Sequence, residues 1–481
     1  MVMKKLSNFR RLLRAAVFVF ILFAGEFAAR YAMSNDSMAI SRFMMHDMYS
    51  AEENIDVLFL GASHVQLAFD TALCDELLGA NSFNAGSSMQ TLGTSLALLR
   101  EIGARNTLRE VYVDLDCSML LRDDVSLESI YAISDYMKPS WRRLAYLLEV
   151  TPEGNYMNTL MPFGKGRGYY RRPADILRNL RRKLSREYLC YEKPDSSYGG
   201  KGYIAGATKL YGSCFCSGRR VDALPSEIPE KNRQYLREII EYCGAHGIRL
   251  HFIAVPVSDY QLVAAGNYDV CVQAAEQFLA QYGLPFYDFN LAKPAFLDLS
   301  SIEYYTDSEH LNRDGAAVFD RAFAKLVTGG AAPEELFYAS YADKLAAREP
   351  AFYGFVVQPE AEGLAVCPVS TLGEETDRRI VYALEPLTLN GTDGTDEAGA
   401  TAAAASSDGT DKAEATEAVA SSDGTDGAED TAAAAEPDGT DGAESIVITA
   451  TLDGKEIGRS LLSDTETGGQ RRIVRKEEAR P

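Results

Sequence analysis

Residues 55–63 read Ile-Asp-Val-Leu-Phe-Leu-Gly-Ala-Ser, followed by His64. The apolar run Ile55–Leu60 stops at Gly61-Ala62-Ser63, the pattern of a short buried strand that ends in a turn. The same texture recurs on either side. Asn81–Asn84 is a second short strand ending at Ala85-Gly86, and Glu110–Asp116 (EVYVDLD) is a third. Arg249–Pro256 (RLHFIAVP) is a fourth, fed by a helix from about Pro229 to His246. Leu284–Phe289 (LPFYDF) is a fifth, fed by a helix from about Tyr268 to Tyr282. Strands alternating with helices predict an α/β domain over residues 54–330, with a parallel sheet covered on both faces. In such sheets ligands bind at the carboxyl ends of the strands.

Three strand ends carry candidate chemistry. Ser63 follows the first strand and begins a helix, so its hydroxyl is exposed at the sheet edge. A serine there also serves as a helix cap or phosphate ligand. Asp307-Ser308-Glu309-His310-Leu311-Asn312 precedes a helix that begins near Arg313 to Ala316. A nucleophilic serine needs a base in hydrogen-bond reach and a carboxylate that fixes the base's tautomer. Asp307, three residues ahead of His310 on one turn, can reach its Nδ1. Phe83-Asn84-Ala85-Gly86 ends the second strand, and Gly86 can bring its N–H close to a developing oxyanion. His64 is expected in packing, capping or substrate contact, and Asn312 and Asp314 as caps of the last helix.

Taken together and in this chain order, these residues resemble the SGNH/GDSL hydrolase superfamily. Ser63 matches the first block (as GAS), Gly86 with Asn84 two before it the NxG second block, and Asp307 and His310 the DxxH fifth block. The resemblance covers about residues 54–326. It implies a three-layer flavodoxin-like fold with a five-stranded parallel sheet. It also implies a Ser-His-Asp triad of Ser63, His310 and Asp307, an oxyanion hole from the N–H groups of Ser63 and Gly86, weaker substrate contacts from His64 and Asn84, and no cofactor. The third block departs. Where the family has GxND, this chain reads Leu115-Asp116-Cys117-Ser118-Met119, with no Asn to donate to the oxyanion. This departure and the N-terminal segment are similar to a divergent branch that includes the teichoic-acid D-alanyl-transfer and alginate O-acetylation proteins. That likeness implies an esterase or O-acyltransferase acting on an acylated cell-surface or exported glycan, beside a membrane-bound O-acyltransferase. A catalytically silent scaffold or glycan-binding protein on the same fold is the alternative.

The N-terminus supports export. Residues 1–14 carry Lys4, Lys5, Arg10, Arg11 and Arg14, and residues 15–33 are apolar apart from Glu26 and Arg30. The uninterrupted core, Ala15–Gly25, is eleven residues, short of the about 20 of a spanning helix and close to a signal-peptide h-region. Counting through to Met33 gives nineteen. Phe27-Ala28-Ala29 is a poor cleavage site. An uncleaved membrane anchor, a cleaved signal and a buried soluble helix are the three readings, and the first two place everything after Met33 outside. Residues 34–53 are a linker.

Residues 117–228 are too long for one crossover and are expected as an insertion over the site. They include a basic run, Lys165 to Arg186, which is either a solvated helix face or a surface for an anionic glycopolymer or lipid headgroups. Residues 331–389 and 445–481 alternate like strands, with Asp453-Gly454 as a hairpin turn, and predict a small β-sandwich-like module. Residues 390–444 interrupt it. Asp-Gly-Thr-Asp recurs from Asp393, Asp408, Asp423 and Asp438 at a period of fifteen, in an Ala, Ser, Glu and Thr background that is expected to be disordered.

The net charge of −21 comes mostly from that repeat, since residues 390–445 hold fifteen acids and one Lys. An acidic chain without a long basic stripe argues against nucleic acid as a partner. The eight cysteines show no zinc spacing, and His46, His246 and His251 do not cluster, so no metal is expected. Most cysteines read as small buried apolar residues, with Cys117 ending the third strand. A disulfide among Cys190, Cys214 and Cys216 is possible in an exported chain.

Overall fold

Strand β1 (Val57–Leu60) is buried along its whole length, because strands lie on both its edges and helices on both its faces. In the computed structural model, which describes residues 2–34, 36, 39–161, 170, 172–192, 197–206, 212–218, 221, 223–329, 331–360, 363–387, 445–463 and 473–476, β1 pairs with β2 (Ser82–Asn84) and β3 (Glu110–Asp114). Strand β4 (Arg249–Ala254) and strand β5 (Phe286–Asp288) complete a five-stranded sheet of order β2-β1-β3-β4-β5, parallel throughout. The architecture is the three-layer α/β arrangement expected from the alternation of elements. The order is that of flavodoxin-like doubly wound sheets, whose crevice opens where the chain switches sides, between β1 and β3.

Side-chain alternation assigns the two layers. Leu58, Leu60, Val111, Val113 and Phe252 point to one face. There they meet helices α3 (Leu92–Gly103), α5 (Glu230–His246) and α6 (Tyr268–Ala280). Val57, Phe59, Tyr112 and Ile253 point to the other, against α2 (Ser63–Ala68) and α7 (Arg313–Thr328). Phe59 stacks on Phe69 at 3.9 Å between ring centroids and meets Phe323 edge-on. The flat stack fills the space between sheet and helix at little entropic cost.

Helix α1 (Val2–Met33) runs without a break at Glu26. Among the described residues it is the one helix long and apolar enough to cross a membrane, over Phe9–Met33. Its carboxyl end is tied down by the helix Pro173–Lys183, from the basic run. Asn179 Nδ2 donates to the carbonyls of Ala32 and Ser34, and Lys183 Nζ donates to the Tyr31 carbonyl and pairs with Asp36 at 2.8 Å. These bonds satisfy carbonyls that a helix end leaves open. Part of this basic run therefore serves as a clasp on α1; residues 162–169 and 171 lie outside the described residues.

After α7 the chain forms two further sheets. Strands β6 (Phe352–Glu360) and β7 (Gly363–Ser370) make an antiparallel pair flanked by β11 (Ile473–Lys476). Strands β8 (Val381–Leu387), β9 (Ser445–Leu452) and β10 (Lys455–Ser463) make the other. The turn at Asp453 and Gly454 has positive φ at both residues, 52° and 80°, which the right-handed twist of the two strands favours. Phe355, Leu364, Val366, Ile446, Ile448 and Leu462 fill the space between the sheets. One strand of the sandwich comes from far upstream, because Phe215–Ser217 of the long connection pairs parallel with β6. The expected repeat at 390–444 lies outside the described residues.

One disulfide forms among the described residues. Cys117 joins Cys271, 154 residues apart, and no bond forms among Cys190, Cys214 and Cys216. Cys117 also opens helix α4 (Cys117–Leu121) instead of ending β3. Its neighbour Asp116 caps that helix, and the cap turns the chain out of the strand. The bond therefore staples the head of α4 to α6. Peptide mapping without reduction should recover Cys117 linked to Cys271, and reduction should lower unfolding stability by about 2–5 kcal/mol in a denaturant titration.

Candidate active site

The parallel register of β1 on β3 pairs Leu60 with Val113. Three residues further along each strand stand Ser63 and Asp116, so both arrive at the switch point on the carboxyl edge. Gly61 makes the approach possible. A Cβ there would lie 2.4 Å from Val65 Cγ2 and 2.7 Å from Asp114 Cβ.

Ser63 Oγ lies 2.7 Å from His310 Nε2. On the far side of the ring His310 Nδ1 is 2.9 Å from Asp307 Oδ2. Asp307 Oδ1 also accepts the backbone N–H groups of Glu309 and His310, at 2.8 and 2.9 Å. Although the Asp307 side chain is half exposed, partial desolvation favours the neutral acid; His310 and these two N–H groups outweigh it and hold the carboxyl below the usual carboxylate range. An ionised Asp307 makes Nδ1 the donor nitrogen and leaves Nε2 to accept from the serine hydroxyl.

The turn carrying this pair is pinned from both ends. Ser258 Oγ donates to the Ser308 carbonyl at 2.5 Å, and Gln261 Nε2 donates to Glu309 at 2.9 Å. Asn312 caps α7 by accepting from the N–H groups of Asp314 and Gly315, each at 3.0 Å. Asp314 follows the cap, inside the first turn. Neither Ser258 nor Gln261 announces itself in the sequence, because the contact depends on where β4 ends.

The second-strand turn is arranged differently from the expectation. Asn84 is wholly buried. Its Nδ2 donates to the carbonyls of Val65 and Phe69, and its Oδ1 accepts the N–H of Gly86 at 3.0 Å. Asn84 therefore ties β2 to α2 and has no exposed surface for substrate. The Gly86 N–H, expected at the oxyanion, is committed to Asn84. Gly86 still has to be glycine, since a Cβ would stand 2.7 Å from the backbone nitrogen of Gln66.

His64 turns toward β3. Its Nδ1 lies 3.3 Å from Asp116 Oδ2, and its ring centroid is 5.1 Å from that of His310. Burial works against charge on His64, yet Asp116, with smaller contributions from Asp114 and Glu309, lifts it to about 9. Burial likewise opposes charge on Asp116, and His64 and the α4 cap reverse this and push it well below the usual range. Asp114 has no such partner. Burial first, then the Asp116 charge, raises it to about 7. His64, Asp116, Ser118, Val255, Gln261 and Glu309 line a cavity of about 110 Å³. Larger clefts lie elsewhere, beside α1 and beside β5, away from Ser63.

His64, Glu309 and His310 each bring one potential ligand atom within 4.8 Å of the others. This grouping crosses 246 positions of sequence and has no spacing signature. It is the one set of residues near Ser63 with donors for a divalent cation among those described.

No family model matches the sequence, and no curated protein does. Among solved structures the chain is similar to a protein described as a platelet activating factor from Streptococcus pneumonia. That likeness has 12% identity and a TM-score of 0.30, and covers 66% of this chain and 99% of the other. It is also similar to a protein described as an acylhydrolase from Bacteroides fragilis, at 10% identity and a TM-score of 0.29, over 60% of this chain and 95% of that one. At these values neither likeness carries an argument, and the fold rests on the strand order and register above.

The His64–Asp116 pair has a defined pH signature. Because the folded value of His64 is raised from 6.5 to about 9, its stabilisation is complete below pH 6.5 and disappears as pH rises to about 9. Asp116 acts in the opposite sense, losing its contribution on acidification. NMR titration of the His64 ring should give a midpoint near 9, and Asp116→Asn should move it several tenths or more toward 6.5.

Proposed function

We propose that this chain is an extracytoplasmic SGNH-type serine esterase or O-acyltransferase acting on acyl esters of a cell-surface or exported polysaccharide. Ser63 is its nucleophile, His310 the general base and Asp307 the carboxylate that orients it. The observation that carries this reading is the contact series from Ser63 Oγ through His310 to Asp307, at 2.7 and 2.9 Å, on the carboxyl edge of a parallel sheet. The apolar helix Phe9–Met33 supports export as an anchor or a signal. The disulfide supports it too, because such bonds persist in oxidising compartments.

On this reading His310 Nε2 takes the hydroxyl proton as Ser63 Oγ attacks an ester carbonyl. The carbonyl π pair moves onto oxygen to give a tetrahedral oxyanion. Collapse restores the carbonyl, and the departing alkoxide takes the proton back from His310. The acyl group then sits on Ser63. Water resolves it in an esterase. A sugar hydroxyl resolves it in a transferase, with a membrane-bound O-acyltransferase as the partner that supplies acyl groups. The ionised Asp307 holds His310 in the tautomer that this sequence of steps needs.

A catalytically silent scaffold or glycan-binding protein is favoured by one observation, the use of the Gly86 N–H by Asn84. A direct assay separates the two. Full-length protein in detergent should hydrolyse p-nitrophenyl acetate or become labelled at Ser63 by a fluorophosphonate. Ser63→Ala should abolish both, and His310→Ala should slow both by about 10³-fold or more. Absence of turnover and of labelling in the wild type would move the assignment to the scaffold.

A further inference from the structure

Beyond the Ser63 N–H, the site as described is short of oxyanion donors. The turn after β3 carries Asp116, an acceptor, and the Gly86 N–H is taken. A bare carboxylate beside a developing oxyanion would raise the barrier, since like charges approach in a water-poor site. The chain places an imidazole against that carboxylate. His64 directly follows Ser63, its ring lines the cavity, and its Nδ1 is committed to Asp116. Nε2 is then the ring's second donor, on a ring 5.1 Å from that of His310, which itself touches Ser63 Oγ.

We propose that His64, held by Asp116, donates its Nε2–H to the oxyanion and so replaces the side-chain donor missing from the end of β3. This rests on the triad reading above. The Asp116–His64 pair is neutral overall, so it is buried without a net charge. A charge-assisted donor binds an oxyanion about twice as strongly as a neutral amide. Asp116 is in turn fixed as the cap of α4, through the N–H groups of Ser118 and Met119, and α4 is stapled to α6 by the disulfide next to it. Asp116 is a positioning residue here, and His64 the group that touches the reacting atoms.

The charged groups facing His64 are Asp116 at the head of α4, Asp114 at the end of β3, and Glu309 and His310 on the turn before α7. Three of these carry acids, and all three favour the protonated ring.

The test is the second-order rate of Ser63 labelling by a fluorophosphonate, measured on the full-length protein. His64→Ala should slow labelling by about 10²–10³-fold. His64→Gln, which keeps an uncharged donor, should recover part of that rate. Thermal unfolding of each variant identifies any that is misfolded, and His64→Gln serves where His64→Ala does not fold. Wild-type labelling with unchanged rates in the His64 variants overturns the proposal and leaves the triad standing. A wild type that is not labelled at all removes the triad reading and this one with it. Loss of labelling with a chelator, restored by zinc, overturns it in favour of a cation held by His64, Glu309 and His310.

Discussion

The pairing of β1 with β3 is the constraint on which the rest depends. Register along two parallel strands is set by the hydrophobic pattern, because a slip of one residue would turn Phe59 and Tyr112 to the wrong layer. With Leu60 opposite Val113, the chain delivers Ser63, His64 and Asp116 to one crevice. The close approach of Gly61 to Asp114 lets the two turns sit side by side. The contact of His64 with Asp116 follows from that placement.

Electrostatics then sorts the acids there. Asp307 and Asp116 each face an imidazole, and both are held below the usual carboxylate range. Asp114, two residues before Asp116, accepts the Val255 N–H but has one oxygen without a partner, and burial with the Asp116 charge raises it to about 7. Two imidazole–carboxylate pairs thus stand a ring's width apart, with the Ser63 hydroxyl bound to one of them. The two pairs stand in separate environments, one at the Ser63 hydroxyl and one at the cavity.

Much of the fold was legible because its causes are local. Apolar runs ending in Gly-Ala-Ser, Asn-Ala-Gly and Leu-Asp-Cys mark β1, β2 and β3, and the caps Asn312 and Asp453-Gly454 mark a helix start and a hairpin. The meeting of Asp307 with His310 was legible for the same reason, since one turn of chain joins them. The Cys117–Cys271 bond was not, because 154 residues separate two cysteines that each look like ordinary core positions. Nor was the strand Phe215–Ser217, which is too short to show a period and is completed only by β6.

By itself the sequence determined the five-stranded α/β layout, the apolar N-terminal helix and the residue types at three strand ends, all of which depend on neighbours within a few positions. Tertiary structure alone decided what those residues touch. Asn84 and Gly86 spend their polar groups on each other and on α2, while His64 swings to Asp116 instead of packing away. Such choices are made by long-range register and by the need to pair every buried polar group, and neither is written in the spacing of residues along the chain.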